Sequence, residues 1–430
     1  MFFLLLLLTL RPAFAGEWTA PGGKIELRAG EFLTTTDDYP QSMGQAFLKL
    51  ETSGTLDNFG TKISPVATLN TQDLGQPGKT RTHFLASEIW GDFTSDKIDL
   101  TVGLAPVKWG AADGLNPTNG FRSFDLSDPV FPRELSQNQI SLKIHPGADQ
   151  DIVFEGIFVP DGQTDLLPFS GKNGRFDPRD SRWGTVLPSA VDVGQSVTVP
   201  LRYSLESEHH NKSSDLAGRI RFLQVKGWDY SLAIGQFRRK RAILNYTLTG
   251  DATIPSLPLT VRIKPFYPIQ DMIGGDASGT WGNFGVRMEV AQYLVKKSDR
   301  AFGYDSFLGN FGVDRLWESL IGEGALYINA AYVFIRNHKY SEFRSDSIDL
   351  AFTRSYGTMK AELQFEKWTP GADFLVTADK NSVINLYLKH EWSESLQLGL
   401  TASFLNGEVD TGIGRLSDNH RLIGQVEYFF

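Results

Sequence analysis

Eight charged side chains fall in alternating stretches of the sequence, each set against apolar neighbours one residue away. Arg202 and Glu206 lie on Val197–Glu206, where Val197, Val199, Leu201, Tyr203 and Leu205 take the other phase. Arg219 and Arg221 form a second pair. Arg287 and Glu289 form a third, opposite Phe284, Val286, Met288 and Val290. Glu362 and Glu366 share a phase with Lys360 and Gln364, opposite Met359, Ala361, Leu363 and Phe365. Charges on one side of an extended chain can line a water-filled passage. Facing charges of both signs set a transverse field and an ion preference there. A water-filled lumen is polar in any case, so the same charges are also expected without selectivity. Arg219 and Arg221, two residues apart on one strand, are the best candidates for a basic patch.

Other chemistry finds little support. The chain has no cysteine, which excludes disulfides, zinc–thiolate sites and thiol catalysis. The acid-rich stretches Asp37-Asp38, Asp177–Asp180 and Asp410 lack the spacing of a dedicated calcium loop, so no metal site is assigned. The seven histidines are scattered, and neither G-x-S-x-G nor H-E-x-x-H occurs. No catalytic residue and no cofactor is therefore expected, and the chain is read as a non-enzyme. The formal net charge of −8 argues against a nucleic-acid partner, which usually needs a basic face. The basic stretch Arg238–Arg241 falls where an extracellular strand end is expected, next to anionic lipopolysaccharide.

The elements that must carry these charges are β-strands. Alternation with period two recurs over segments of about ten residues, broken by Gly, Asn, Asp and Ser turns. Lys97–Ala105 shows it plainly, with Ile98, Leu100, Val102 and Leu104 on one side. A soluble sandwich would alternate in the same way. Three features favour the membrane, the third being the final segment Arg421–Phe430, which alternates up to its last residue. Trp90, Trp109, Trp228, Trp281, Trp368 and Trp392 fall near strand ends, as an interfacial girdle requires. An apolar run, Phe2–Leu10, precedes Ala13-Phe14-Ala15, so residues 1–15 read as a cleaved signal peptide.

The expected fold is all-β: a single transmembrane antiparallel up-and-down β-barrel over residues 16–430. About 16–20 strands are expected, an even number, with short periplasmic turns and long extracellular loops. Wall strands are expected at Lys24–Leu33, Gly44–Ser53, Thr82–Trp90, Lys97–Ala105, Gln139–His145 and Asp151–Pro160. About twelve more follow from Val197 onward, with tight hairpins at Lys226-Gly227, Glu323-Gly324, Tyr356-Gly357 and Ser393–Ser395. Trp368–Lys380 reads as a loop. Parity favours a further strand near Trp183–Ala190. The long stretches 108–136 and 161–189 are extracellular loops, candidates for folding into the lumen. The final segment alternates up to Phe430. Tyr428 and Phe430 at its end resemble the signal read by the bacterial outer-membrane assembly machinery.

Several motifs resemble an uncharacterised proteobacterial family of large, porin-like outer-membrane proteins, known only as a domain of unknown function. They are Trp109-Gly110, Asp113-Gly114, Asn116-Pro117, Asp125-Leu126, Asp128-Pro129, Phe154-Glu155-Gly156, Val159-Pro160 and Leu166-Leu167-Pro168. Near the end, Asn406-Gly407, Asp410-Thr411, Gly414-Arg415 and Asp418-Asn419 also fit. The resemblance implies a barrel with a transport role, and in some relatives a partnership with an inner-membrane exporter. Taken by themselves, Asn-Pro and Asp-Pro start turns and Gly supplies positive φ.

The leading expectation is an integral protein of the bacterial outer membrane, porin-like, passing small hydrophilic solutes. Its expected partners are outer-membrane lipids, lipopolysaccharide and the assembly machinery. One alternative is an outer-membrane component carrying lipid or other hydrophobic cargo with an inner-membrane exporter. A second is a structural or adhesive surface barrel.

Overall fold

The computed structural model describes residues 17–19, 22–33, 42–70, 81–112, 114–126, 128–147, 151–166, 190–192, 198–205, 214–250, 259–321, 323–342, 347–349, 355–407 and 414–430. Eighteen antiparallel strands form one closed wall. In chain order they are β1 (Gly22–Phe32), β2 (Ser42–Leu56), β3 (Phe59–Asn70), β4 (Arg81–Thr94), β5 (Ile98–Ala105) and β6 (Gln137–Ile144). Next come β7 (Ile152–Val159), β8 (Asp215–Val225), β9 (Trp228–Arg238), β10 (Ile269–Trp281), β11 (Phe284–Val295) and β12 (Asp305–Ile321). The last six are β13 (Gly324–His338), β14 (Tyr356–Gln364), β15 (Trp368–Thr377), β16 (Ser382–Ser393), β17 (Leu396–Asn406) and β18 (Arg421–Phe429). Each pairs with the next, and β18 closes on β1 from Lys24↔Phe429 to Phe32↔Arg421. The seam extends one residue further, where the Phe430 N–H donates to the Gly23 carbonyl at 3.1 Å and the Gly23 N–H returns a 2.9 Å bond.

Alternation decides which side each residue takes. On β1, Ile25 and Leu27 are exposed while Glu26 between them is buried. On β9, Leu232 and Ile234 stand out while Ser231 and Ala233 are buried. The exposed apolar residues lie on the outer face and the polar ones on the inner. In water so large an apolar surface would drive association. Around a barrel it is the surface that meets lipid.

One end of the barrel has tight turns. At β8–β9, Val225 pairs with Trp228 across Lys226 and Gly227, whose φ values are 53° and 82°. Two consecutive positive φ values suit a two-residue hairpin twisted like its strands. The other end carries the long connections. Three of these, the β7–β8, β9–β10 and β13–β14 connections, build a second sheet. Its five strands run in the order Ala190–Asp192, Thr198–Leu205, Leu259–Phe266, Ile243–Thr249 and Ser347–Asp349. Thr198–Leu205 lies parallel to Leu259–Phe266.

The wall corrects several expectations. Val197–Glu206 is not a wall strand, because β7 pairs directly with β8 from Ile152↔Phe222 to Val159↔Asp215. Its described part, Thr198–Leu205, belongs to the second sheet instead. Any sheet with one covered face alternates, so periodicity could not separate the two. The same direct pairing leaves no wall position near Trp183–Ala190, most of which lies outside the described residues. Tyr356-Gly357 opens β14 rather than forming a turn, with Tyr356 opposite Val333 and Thr377. Trp368–Thr377 is a strand, not a loop, although Pro370 and Gly371 interrupt its pattern. Phe59–Asn70 is a further wall strand, beyond those expected from alternation. Eleven wall strands therefore follow Asp215 rather than about twelve after Val197. Residues 1–16 lie outside the described residues.

Candidate functional site: the inner wall and the loop packed against it

A barrel of this strand number is wide enough to hold an aqueous channel. Its buried core must therefore come from something packed on the inner wall. That is the connection between β5 and β6, residues 106–136. Trp109 meets Phe121 edge-on, and Phe121 meets Phe237 of β9 edge-on. Ala233, Met272, Ala291 and Tyr293, all inward-facing on β9–β11, belong to the same cluster, as do Val107 of the loop and Ile157, Val159 and Ala217 of β7 and β8. Gly120 permits the approach, since a Cβ there would fall 2.6 Å from the Phe237 ring.

Glu289 of β11 fastens this half of the loop. Its carboxylate accepts the Thr118 N–H at 2.6 Å and the Thr118 hydroxyl at 2.7 Å. The N–H groups of Ala111 and Ala112 reach its other oxygen, each at 3.2 Å. Gly110 has φ 88°, and a Cβ on it would lie 2.7 Å from both carboxylate oxygens. Only glycine combines that backbone with that clearance. The Tyr293 hydroxyl donates to the Pro117 carbonyl, and the Asn310 amide donates to the Leu115 carbonyl, both at 2.7 Å. The motif Trp109-Gly110 to Asn116-Pro117 thus wraps one inward carboxylate with loop backbone.

The other half of the loop is fastened elsewhere. Asp128 takes two bonds from Arg421 of β18, at 2.8 and 2.9 Å, and Arg421 is fully buried. Val130 and Phe131 pack on Phe32, Met43, Leu405 and Ile423. The guanidinium groups of Arg28 and Arg421 stand 5.3 and 4.9 Å over the Phe131 ring. Around the ring, β11 and β1 are eight steps apart one way and ten the other. The loop is therefore tied to two nearly opposite sectors of the wall. Asp161–Leu166 joins it, with the Leu166 N–H donating to Phe124 and the Leu126 N–H donating back to Leu166. Residues 167–189 lie outside the described residues.

The charges named from the sequence divide into groups. Arg219 faces inward and pairs with Glu155 at 2.7 Å, its guanidinium 4.8 Å over the Trp109 ring. Arg221 shares its phase, opposite Val153 and Ser231. Arg287 pairs with Asp314. Glu289 holds the loop. Glu362 faces inward, 3.1 Å from Lys360, and accepts the Tyr387 hydroxyl at 2.8 Å. The structure departs from two of the eight, Arg202 and Glu366. Arg202 is exposed on the second sheet, away from the wall. Glu206 lies outside the described residues. Glu366 is exposed in the β14–β15 turn with φ 49°, because β14 ends at Gln364 and the phase does not carry through a turn.

Sequence reasoning missed the partners Glu155, Asp314, Asp128 and Arg421. Arg421 had a usable signal, since it shares the inward phase of a secure strand. Asp128-Pro129 reads locally as a turn, and nothing local announces its partner 293 residues away. Trp90 and Trp109 also leave the expected girdle. The Trp90 indole donates to Glu88 at 3.0 Å, and Trp109 is buried under the loop. Trp228, Trp281, Trp368 and Trp392 stand at strand ends beside the tight turns.

Two features bound the space that remains. On β14–β16 the inward residues Lys360, Glu362, Asp373, Tyr387 and Lys389 are not buried. At the start of β8, Asp215 pairs with Lys240, which lies just past the end of β9. Burial pushes the Lys240 ammonium below its ordinary pKa, while Asp215 opposes that shift.

No family model and no curated protein matches the sequence. Solved structures with a similar course include OccAB3 of Acinetobacter baumannii, at 12% identity and TM-score 0.49, covering 95% of this chain and 99% of that one. A mutant of the Rhodobacter blastica porin matches at 9% identity and TM-score 0.41, over 96% of this chain and 100% of that one. Wzi of Escherichia coli, an outer-membrane protein involved in group 1 capsule assembly and a carbohydrate-binding β-barrel, matches at 9% identity and TM-score 0.48, over 99% and 87%. At these identities and scores, none of the three carries its function to this chain. The class rests on the fold itself: a closed 18-stranded β-barrel, porin-like in having an apolar outer face, a polar inner face and a loop packed against the inside.

Proposed function

We propose that the protein is an outer-membrane channel for small hydrophilic solutes, narrowed by residues 106–136. The observation that carries this reading is the loop tied to opposite wall sectors while β14–β16 keep a polar, unburied inner face. Solutes pass between the loop and that face. Lys360, Glu362, Asp373 and Lys389 lie on the wall side, and the Arg122–Glu134 pair lies on the loop. Both signs are present, which favours weak selectivity over a strong preference for one ion type. An outer-membrane location follows from the closed barrel with an apolar outer face. Tyr428 and Phe430, stacked on the outer face beside the closing seam, are the residues we assign to recognition by the assembly machinery.

Planar-bilayer recording tests the reading. Folded, heat-modifiable protein should give stable ohmic steps. Correctly folded protein that inserts without conducting overturns the open-channel reading and leaves the hydrophobic-cargo alternative.

A further inference from the structure

The long-connection end carries cations on the side turned away from the barrel axis. The second sheet stands between two neighbours. Through Leu244, Val261 and Ile263 it packs on Leu126 and Phe124 of the loop inside the barrel. Arg262, Lys264 and Phe266 alternate with Val261 and Ile263, so they take the opposite face. The Phe266 ring lies 4.7 Å from that of Phe302, which belongs to the β11–β12 connection on the rim. The face bearing Arg262 and Lys264 therefore looks outward over the rim. Arg202 joins it, since it pairs with Thr260 in the phase of Arg262. All three are exposed, and none has an ion-pair partner among the described residues.

The rim beneath continues the pattern. The β11–β12 connection adds exposed Lys297 and half-buried Arg300, whose guanidinium lies 4.0 Å over the Tyr340 ring, with the exposed Glu342 carboxylate near both cations. Arg336, near the end of β13, points outward and is exposed beside Phe307 of β12. Below it the outer face of β12 and β13 is aromatic. Phe307, Phe311, Tyr332 and Phe334 are all exposed, with Phe307 and Phe334 in ring contact at 6.0 Å. Arg336 thus stands over a tier of lipid-facing rings, and the Phe266–Phe302 contact brings the cationic face of the second sheet to the same rim. The rim's Asp271 is engaged by Lys296 at 2.6 Å, and Asp299 accepts the Ile269 N–H at 2.8 Å.

Fixed cations above an apolar face fit a ligand with phosphates above acyl chains. At the outward end of an outer-membrane barrel, that ligand is lipopolysaccharide. We propose that this sector docks the lipid A phosphates of lipopolysaccharide on Arg262, Lys264 and Arg336, with acyl chains lying on the rings of β12 and β13. The proposal rests on the orientation that puts the long connections outside the cell, not on conduction.

The test uses the full-length protein in detergent and native mass spectrometry. The probes are lipid A with both phosphates, dephosphorylated lipid A, and inorganic phosphate. Wild-type protein should retain lipid A with both phosphates and release the dephosphorylated form. The variant carrying Arg262→Glu, Lys264→Glu and Arg336→Glu should bind about a hundredfold more weakly, from the loss of three basic contacts. The corresponding Gln variant should fall between, and heat-modifiability on a gel reports that both are folded. Equal binding by wild type and the charge-reversed variant overturns the proposal. So does equal retention of the dephosphorylated lipid, which assigns the surface to acyl chains alone. Displacement of no lipid but binding of inorganic phosphate overturns it in favour of a free anion. A protein that binds lipid A yet conducts no current supports this site and removes only the channel reading.

Discussion

Glu289 on the barrel wall holds Thr118 of the inner loop twice, through its backbone N–H and through its hydroxyl. Together with the N–H groups of Ala111 and Ala112, these bonds fix one half of the loop to β11. Glu289→Ala should free that half. The wall ladder does not depend on the side chain, and lumen water can solvate the released N–H groups. The expected loss of stability is therefore modest, about 1–3 kcal/mol. The main effect should be on current. Single-channel recordings should show higher conductance and more open-state noise, with Glu289→Gln intermediate because one acceptor oxygen remains. A variant with wild-type conductance and noise would remove this loop from the permeation path.

The same loop can be displaced without touching a charge. At Gly120 a side chain would enter the Phe237 ring. Gly120→Val should cost about 1–3 kcal/mol through overpacking. It should also change conductance in the direction seen for Glu289→Ala. Adding Phe237→Ala makes room for the new side chain and should bring conductance part of the way back. Absence of any such recovery would mean that the contact does not seat the loop.

Asp128 and Arg421 form the opposite anchor, and their burial makes the prediction asymmetric. Removing one partner strands a charge in a closed space, which costs about 3–5 kcal/mol. Asp128→Leu and Arg421→Met should each lower the temperature at which the folded band converts on a gel. The double variant replaces the pair with apolar side chains and should regain most of the loss. Arg421 also begins the strand that closes the barrel, so its single variant should fold more slowly as well. If the double variant proves as unstable as the worse single one, the two residues do not act as a pair.

The parts of this arrangement visible in the sequence share one property: they are local. Strands such as Ile98–Ala105 carry their own alternation, and the even strand number follows from closure. The terminal strand was secure because Leu422, Gly424, Val426, Tyr428 and Phe430 keep one phase to the end. What failed were features decided by distant partners. Thr198–Leu205 alternates like a wall strand but pairs with Leu259–Phe266, more than fifty residues on. Trp368–Thr377 breaks its own pattern at Pro370 and Gly371, yet β14 and β16 on either side hold it in register. Arg219 and Arg221 were legible as inward. The Glu155 and Trp109 contacts that occupy Arg219 were not, because they bring together three separate stretches of chain.

That last contact redirects the selectivity experiment. Arg219 is paired with Glu155 and stacked over Trp109, so its charge is largely spent within the wall. Lys360 and Lys389 stand on the unburied face across from the loop. Their charges act on passing ions over a range set by screening, about 10 Å at 0.1 M salt. Lys360→Glu with Lys389→Glu should therefore move the zero-current potential toward cation preference in a salt gradient. The shift should shrink as salt rises. Arg219→Ala should instead act mainly on stability, leaving Glu155 buried without its partner, and should move the potential little. Arg221→Glu, unstacked and in the same phase, should fall between them. A larger shift from Arg219→Ala than from the lysine pair would place the narrow passage on the β8 side of the loop rather than beside β14–β16.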